Sequence, residues 1–144
     1  MRRGRRPAPP ELGYTRGTKP VRILLVEDSS AMRAFVRAAL EEDGDVVLSE
    51  APSGFEALRL LPRDKYDLVI TDINMPDING LEVIAFMRRS EAHRETPLLI
   101  ISTEAAVRDR ERAMSLGANA YLTKPFQPSE LREAVRKLRV AAGA

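Results

Sequence analysis

Cysteine is absent from this chain of 144 residues. Its absence excludes disulfides, thiolate catalysis and metal sites with cysteine ligands, and it suits the reducing cytoplasm, where we expect the protein to be located. Long hydrophobic runs are missing as well, since runs such as Leu98 to Ile101 fall far short of the roughly 20 residues that cross a bilayer. The sequence therefore predicts no membrane span.

Histidine occurs once, at position 93. His93 falls in the loop predicted before the fourth strand, and it has no partner at the spacing typical of metal ligands. We predict that it is a solvated loop residue without a chemical role.

Positive charge is concentrated at the N-terminus. Residues 1–20 contain six arginines and lysines and a single glutamate, whereas the other 124 residues contain 17 basic and 20 acidic residues. Prolines, glycines and Glu11 follow the first arginines, in place of the apolar segment of a signal peptide. We predict a disordered basic tail over residues 1–20, a folded domain over 21–140 and a short C-terminal tail over 141–144. We favour a solvated extension over a tail that contacts nucleic acid or anionic lipid, and we expect no nucleic-acid binding by the folded domain.

Five short apolar segments alternate with amphipathic segments along the chain. The apolar segments, which predict strands, are VRILLV (21–26), VVLS (46–49), DLVIT (67–71), PLLIIS (97–102) and AYLT (120–123). Helical periodicity follows each of them. The fourth helix is predicted over Ala105 to Leu116, and Gly117 is placed to end it. Pro128 is placed to begin the fifth helix. This strict alternation predicts one α/β domain with an open parallel sheet covered on both faces.

Polar and charged side chains stand at the ends of four of the predicted strands. Glu27 and Asp28 close the first strand, Asp72 the third, Ser102 the fourth and Lys124 the fifth. In an open parallel sheet, ligands bind outside the carboxyl ends of the strands, near the point where the strand order reverses. We therefore expect these five side chains to meet in one crevice.

Three carboxylates in one crevice repel one another. At an effective dielectric constant near 20 and a separation of ~5 Å, each pair costs roughly 3 kcal/mol. Either the acids take up protons, or the lysine and a divalent ion neutralise them. Carboxylates, a backbone carbonyl and water suit a hard cation that prefers oxygen, most simply Mg²⁺.

Four segments together resemble a known family: ILLVEDSSAMR, DLVITDINMPDINGLEVI, LLIISTEA and GANAYLTKPF. They are similar to the receiver domain of two-component response regulators, and most closely to its single-domain chemotaxis (CheY-like) type. The resemblance covers residues 21 to about 140. It implies a flavodoxin-like, doubly wound sheet of five parallel strands in the order 2-1-3-4-5, with helices on both faces.

The resemblance also implies the chemistry of the crevice. Asp72 corresponds to the acceptor of a phosphoryl group, which a sensor histidine kinase or a phosphotransfer protein donates from a phosphohistidine. Asp28, Asp72 and the backbone carbonyl of Asn74 would hold Mg²⁺, and Glu27 would reach the ion directly or through water. A carboxylate that attacks in line needs little beyond positioning and charge neutralisation, so these roles agree with the residue types.

Further residues are implied to contact and sense the phosphoryl group. Ser102 would donate its hydroxyl to the phosphoryl oxygens, and Lys124, aimed by a cis peptide bond to Pro125, would pair with them. Ser102 and Tyr121 correspond to the family's switch, in which Ser102 moves inward and Tyr121 swings into space vacated beneath the fourth helix. The surface of the fourth helix, fifth strand and fifth helix would then bind a downstream protein.

The predicted function is that of a stand-alone phosphoacceptor and not of an enzyme, apart from its own phosphorylation and dephosphorylation. Only 20 residues follow Lys124, so we expect no output domain and a signal that leaves by phosphorylation-dependent protein binding, in chemotaxis or motility.

Three other functions share parts of this pattern. A haloacid-dehalogenase-like phosphatase needs a second aspartate two residues after its nucleophile, where this chain has Asn74. A flavodoxin-like nucleotide binder needs glycines in the turn after the first strand, where this chain has EDSSAM. A receiver-like adaptor that is never phosphorylated remains the alternative.

Overall fold

The computed structural model describes residues 19–103 and 106–141. In this part of the chain, five strands alternate with five helices. Their bounds are β1 Val21–Val26, α1 Ser30–Glu41, β2 Val46–Ala51, α2 Gly54–Leu60, β3 Leu68–Asp72, α3 Gly80–Arg89, β4 Leu98–Thr103, α4 Val107–Leu116, β5 Ala120–Lys124 and α5 Pro128–Ala141. The predicted first residue of α5, Pro128, and the predicted end of α4 at Gly117 are both confirmed.

The strands form one parallel sheet in the order β2-β1-β3-β4-β5. The predicted fold class and strand order are therefore confirmed. The order reverses at β1, which lies between β2 and β3, so a crevice opens beyond the carboxyl ends of β1 and β3. Val26 pairs with Thr71, and this register sets the residues after β1 beside Asp72.

Apolar side chains alternate between the two faces of the sheet and form two cores. Ile23 and Leu25 of β1 pack with side chains of α1 and α5, whereas Leu24 and Val26 pack with side chains of α2, α3 and α4. Strand β3 is buried along its whole length, as predicted for a central parallel strand. Strand β5 is only half-buried, because it lies at the edge of the sheet.

Side-chain caps fix the starts of three helices. Ser29, Ser53 and Asn79 each accept a backbone N–H of the first turn, and Asn79 forms a capping box with Glu82. Helix α4 differs, because it begins after Ala106 and the part of the chain that the structure describes provides no side-chain cap for it. Its other end is sharply defined by Gly117, whose φ of 121° lies in the region that favours glycine.

Arg88, near the end of α3, connects this helix to α4 and to the loop before β4. Its guanidinium donates to five oxygen atoms, namely the carbonyls of His93, Arg94, Thr96 and Gly117 and the side-chain oxygen of Asn119. Two of its nitrogens share the Gly117 carbonyl, at 3.1 and 2.8 Å. The C-terminal end of α4 is therefore fixed to α3.

The prediction that His93 is solvated is wrong, because its side chain is completely buried. Its Nε2 lies 2.9 Å from the carbonyl oxygen of Leu61 and 3.1 Å from that of Asp64, and its Nδ1 lies 3.1 Å from the Thr96 hydroxyl. Carbonyl oxygens only accept, so Nε2 carries the proton. The ring also stacks on Tyr66. His93 joins the end of α2 to the loop before β4.

The predicted tails fall mostly outside the described residues, which exclude 1–18 and 142–144. Within the described part, the folded elements begin at Val21 and extend to Ala141. None of the helices described combines the length and the apolarity that a bilayer crossing requires.

Candidate functional site

The turn after β1 presents two acids with different surroundings. The Glu27 side chain is only 1% exposed, and its Oε2 accepts the backbone N–H of Ser29 at 3.0 Å. The Glu27 carbonyl accepts Nη1 of Arg33 at 2.8 Å, which fixes the turn to α1. Asp28 is exposed. One acid therefore points into the crevice while its neighbour lies at the rim.

A half-buried ion network supports this turn, and sequence reasoning missed it. Nε of Arg33 lies 3.0 Å from Oε1 of Glu50, and Nε of Arg37 lies 2.7 Å from Oε2 of the same carboxylate. Glu50 belongs to β2, so the network fixes α1 to the strand next to β1. The spacing of Arg33 and Arg37 by one helical turn was the available signal, but the sequence does not show which acid they share.

Asp72 ends β3 and is only 6% exposed. Its Oδ1 accepts the backbone N–H of Ile73 at 2.8 Å, and the N–H of Gly80 donates to the Ile73 carbonyl at 2.8 Å. A Cβ atom on Gly80 would overlap the carbonyl oxygen of Asp72, so this close approach requires glycine. The loop from residue 73 to 79 therefore closes tightly over the strand end.

Asp77 holds the same loop from its other side. Its carboxylate accepts the N–H groups of Phe55 at 2.9 Å and of Gly54 at 3.3 Å, at the start of α2. These hydrogen bonds, the one from Phe55 above all, lower the pKa of Asp77. Asn74, the predicted carbonyl ligand, lies exposed in this loop two residues after Asp72.

Lys124 reaches from the end of β5 to both buried acids. Its Nζ lies 3.0 Å from Oε1 of Glu27 and 3.5 Å from Oδ2 of Asp72. The peptide bond from Lys124 to Pro125 is cis, as the resemblance implied. The structure thus brings the predicted lysine into contact with two of the predicted acids.

Burial makes the ionised form of both acids costly. It raises the pKa of Glu27 and of Asp72, and a neighbouring negative charge adds to the rise, from Asp72 on Glu27 and from Asp28 on Asp72. Lys124 and backbone N–H groups act in the opposite direction without cancelling it. The cluster contains three acids, and Lys124 supplies a single positive charge to two of them.

The acidic cluster fits a hard divalent cation. One carboxylate oxygen from each of Glu27, Asp28 and Asp72 lies within 4.8 Å of the other two. Two oxygens on opposite sides of an octahedral Mg²⁺ ion are about 4 Å apart, so the cluster is already close to the required size. The donor set consists of oxygens alone, which suits Mg²⁺ and not a soft metal.

Ser102 and Tyr121 occupy one face of the sheet, beneath α4. Ser102 is fully buried, and its Oγ is the buried side-chain atom for which the described residues provide no hydrogen-bond partner. Ile100 of β4 pairs with Tyr121 of β5, and Ser102 follows Ile100 on the same face. Tyr121 is half-buried, with its hydroxyl 3.4 Å from the Thr103 carbonyl.

Residues 23–136 match the sequence model of the response regulator receiver domain. The chain belongs to the response regulator receiver family. This receiver is 35% identical over 120 residues to chemotaxis protein CheY-3 of Vibrio cholerae, which covers 83% of this chain and 92% of that protein. The predicted family is confirmed.

Solved structures of receivers share the fold. The receiver is 29% identical to the chemotaxis response regulator CheY4 of Vibrio cholerae, with a TM-score of 0.77 over 83% of this chain and 98% of that one. The same values hold for the receiver domain of sensor histidine kinase PA1611 from Pseudomonas aeruginosa, whose structure has a magnesium ion coordinated in the active-site cleft. The individual roles of the site residues in this receiver stay predictions.

Proposed function

We propose that this receiver accepts a phosphoryl group on Asp72 from a phosphohistidine donor, in a reaction that depends on Mg²⁺. The observation that best supports this proposal is that the ammonium of Lys124 contacts both Asp72 and Glu27, two members of a cluster of three acids. A carboxylate nucleophile next to a lysine and a hard-cation site is what phosphoryl transfer requires.

The chemistry assigns a task to each side chain. A carboxylate oxygen of Asp72 attacks phosphorus while the bond from phosphorus to the donor's imidazole nitrogen breaks, and the electron pair stays on the imidazole. Glu27, Asp28, Asp72 and the Asn74 carbonyl would hold Mg²⁺, which supplies charge neutralisation when bound. The ammonium of Lys124 stabilises negative charge on the phosphoryl oxygens.

Ser102 is the proposed sensor of the phosphoryl group. A buried hydroxyl for which the described residues provide no partner is unfavourable, and phosphoryl oxygens on Asp72 would provide an acceptor. We propose that Ser102 moves toward them and that Tyr121, on the same face, then moves inward. The surface of α4, β5 and α5 is the proposed site for a downstream protein.

The similar chemotaxis proteins make chemotaxis or motility the pathway that we propose first, with a cytoplasmic location. The donor would be a sensor histidine kinase or a phosphotransfer protein, and the target a protein that distinguishes the two states of the receiver.

Incubation with acetyl phosphate tests the assignment. The wild type should gain one phosphoryl group in the presence of Mg²⁺ and none with a chelator, as measured by intact mass. Asp72→Asn should remain folded and gain none, whereas Asp64→Asn, on an exposed loop, should behave as the wild type. Labelling of Asp72→Asn to full stoichiometry contradicts the assignment. A folded wild type that is never labelled, even by a cognate kinase, favours the adaptor alternative.

A further inference from the structure

Arg110 of α4 lies over the aromatic ring of Tyr121. Its guanidinium carbon is 4.6 Å from the ring centroid, which is within the range of a cation–π contact. Both side chains belong to half-buried residues, so the contact is partly shielded from water. Contacts of this kind at exposed sites change an equilibrium by about two- to fivefold, and by more when they are desolvated.

The hydroxyl of Tyr121 has a second and weaker tie. It donates to the carbonyl of Thr103, the last residue of β4, over a long distance of 3.4 Å. The ring also packs partly against the core beneath α4. Because the hydroxyl contact is long, Arg110 provides the stronger polar restraint on where the ring lies.

We propose that Arg110 is a positioning residue that holds Tyr121 in this half-exposed position and thereby opposes activation of the receiver. The inference rests on the proposed function, in which Tyr121 moves inward after Ser102. A ring that moves inward toward Ser102 beneath α4 would move away from the guanidinium of Arg110, which now lies 4.6 Å from the ring centroid. The contact therefore stabilises one of the two states selectively.

A selective contact changes the response to an activating ligand. A ligand shifts a two-state equilibrium only by its differential affinity, and its apparent dissociation constant rises as the competent state becomes rarer. Removing the Arg110 contact raises the population of the competent state by the factor that the contact contributed. The apparent affinity for an activator at Asp72 rises by the same factor while that state is the minor one.

The chain is well suited to a direct measurement, because it contains three tyrosines. In protein labelled with ¹³C in the tyrosine rings, the Tyr121 signals are identified by their loss in Tyr121→Phe. Beryllofluoride with Mg²⁺ serves as the phosphoryl mimic in a titration of the wild type, Arg110→Gln, Arg110→Lys and Arg112→Gln. Arg112 is the matched control, since it lies on the same helix and pairs with Asp109 at 3.6 Å.

Arg110→Gln should shift the Tyr121 signals, before any mimic is added, toward their position in the saturated wild type. Its titration midpoint should be about two- to fivefold lower than that of the wild type. Arg110→Lys keeps a cation, so its Tyr121 signals and midpoint should lie close to those of the wild type. Arg112→Gln should match the wild type.

An unchanged Tyr121 signal and midpoint in Arg110→Gln overturn the inference, provided that the wild type responds to the mimic. An equal change in Arg112→Gln also overturns it, because the effect would then be a general one of helix charge. If the wild-type Tyr121 signals stay fixed while signals around Asp72 show saturation, the proposed switch is wrong, and the role of Arg110 fails with it.

Discussion

Asp72 is both buried and charged, and these two properties oppose each other. Although Asp72 ends its strand, it is only 6% exposed. Burial raises the pKa of Asp72, and the charge of Asp28 adds to the rise. In the absence of a bound cation, ionised Asp72 therefore reduces the stability of the fold.

Asp72→Asn should accordingly raise the melting temperature by a few degrees in buffer without Mg²⁺. Asparagine keeps the shape of the side chain and removes one charge of the cluster, while Lys124 keeps its contact with Glu27 at 3.0 Å. Calorimetry on the wild type, this variant and Asp64→Asn measures the effect. A fall of several degrees would show that the contacts of Asp72 with Lys124 and Ile73 outweigh its burial.

Asp77 has the opposite shift, because backbone N–H groups stabilise its ionised form and lower its pKa. Its folded-state pKa lies below the unfolded value of about 3.9, so its contribution is fully present above that value and is lost as the pH falls through the folded-state pKa. Asp77→Asn should be less stable than the wild type at pH 7, and the difference should shrink toward pH 3. Urea unfolding at pH 7, 5 and 3 measures this, and a difference independent of pH contradicts the assignment.

Helix α5 is fixed to the rest of the domain by ion pairs that its sequence pattern did not predict. The apolar positions of the helix indicated its buried face, but not the row of arginines beside that face. The pairs are Arg132–Glu42 at 3.5 Å, Arg136–Asp43 at 3.6 Å and Arg139–Asp45 at 3.4 Å. All three acids lie at or just after the end of α1, so the row connects α5 to the turn between α1 and β2.

Replacing Arg132, Arg136 and Arg139 together by glutamine should lower the free energy of unfolding by about 1 to 2 kcal/mol at low salt, since exposed pairs contribute up to about 1 kcal/mol each. The loss should be clearly smaller in 1 M NaCl, where charges are screened within about 3 Å. Lys137→Gln, on the exposed side of the same helix, is the control. An equal loss at both salt concentrations would mean that packing of the arginine stems, and not charge, is what holds α5.

At the scale of the molecule, the alternation of strands and helices was enough to predict the sheet. The strand ends were enough to predict that Glu27, Asp28, Asp72 and Lys124 come together, whereas a contact of Ser102 with them stays a prediction. The remaining features depend on contacts between distant positions. His93 is held in a buried position by carbonyls that lie 29 and 32 residues away in sequence. The second strand was predicted to end at residue 49, but β2 continues through Glu50 to Ala51. The charge of Glu50 is paired with arginines of α1. No local pattern reports such partners.

Binding of Mg²⁺ should stabilise the whole domain by mass action. At ten times the dissociation constant the gain is about 1.4 kcal/mol, which corresponds to a few degrees in melting temperature. Asp28→Ala should reduce this gain strongly, whereas Asp64→Asn should keep it. Melting curves over a series of MgCl₂ concentrations measure the effect. A wild type that does not respond to Mg²⁺ contradicts the proposed metal site.

The two ends of helix α4 are held differently, and this asymmetry favours a tilt of the helix about its C-terminal end. Arg88 holds the Gly117 carbonyl at the C-terminal end, while no side chain among the described residues caps the start after Ala106. Ten residues at 1.5 Å each make an arm of about 15 Å, so a tilt of about 10° about the fixed end displaces the free end by roughly 2 to 3 Å. The amides of the first turn should exchange with solvent faster than those near Leu116. Arg88→Gln should remove the pivot, so that both ends of the helix exchange at similar rates.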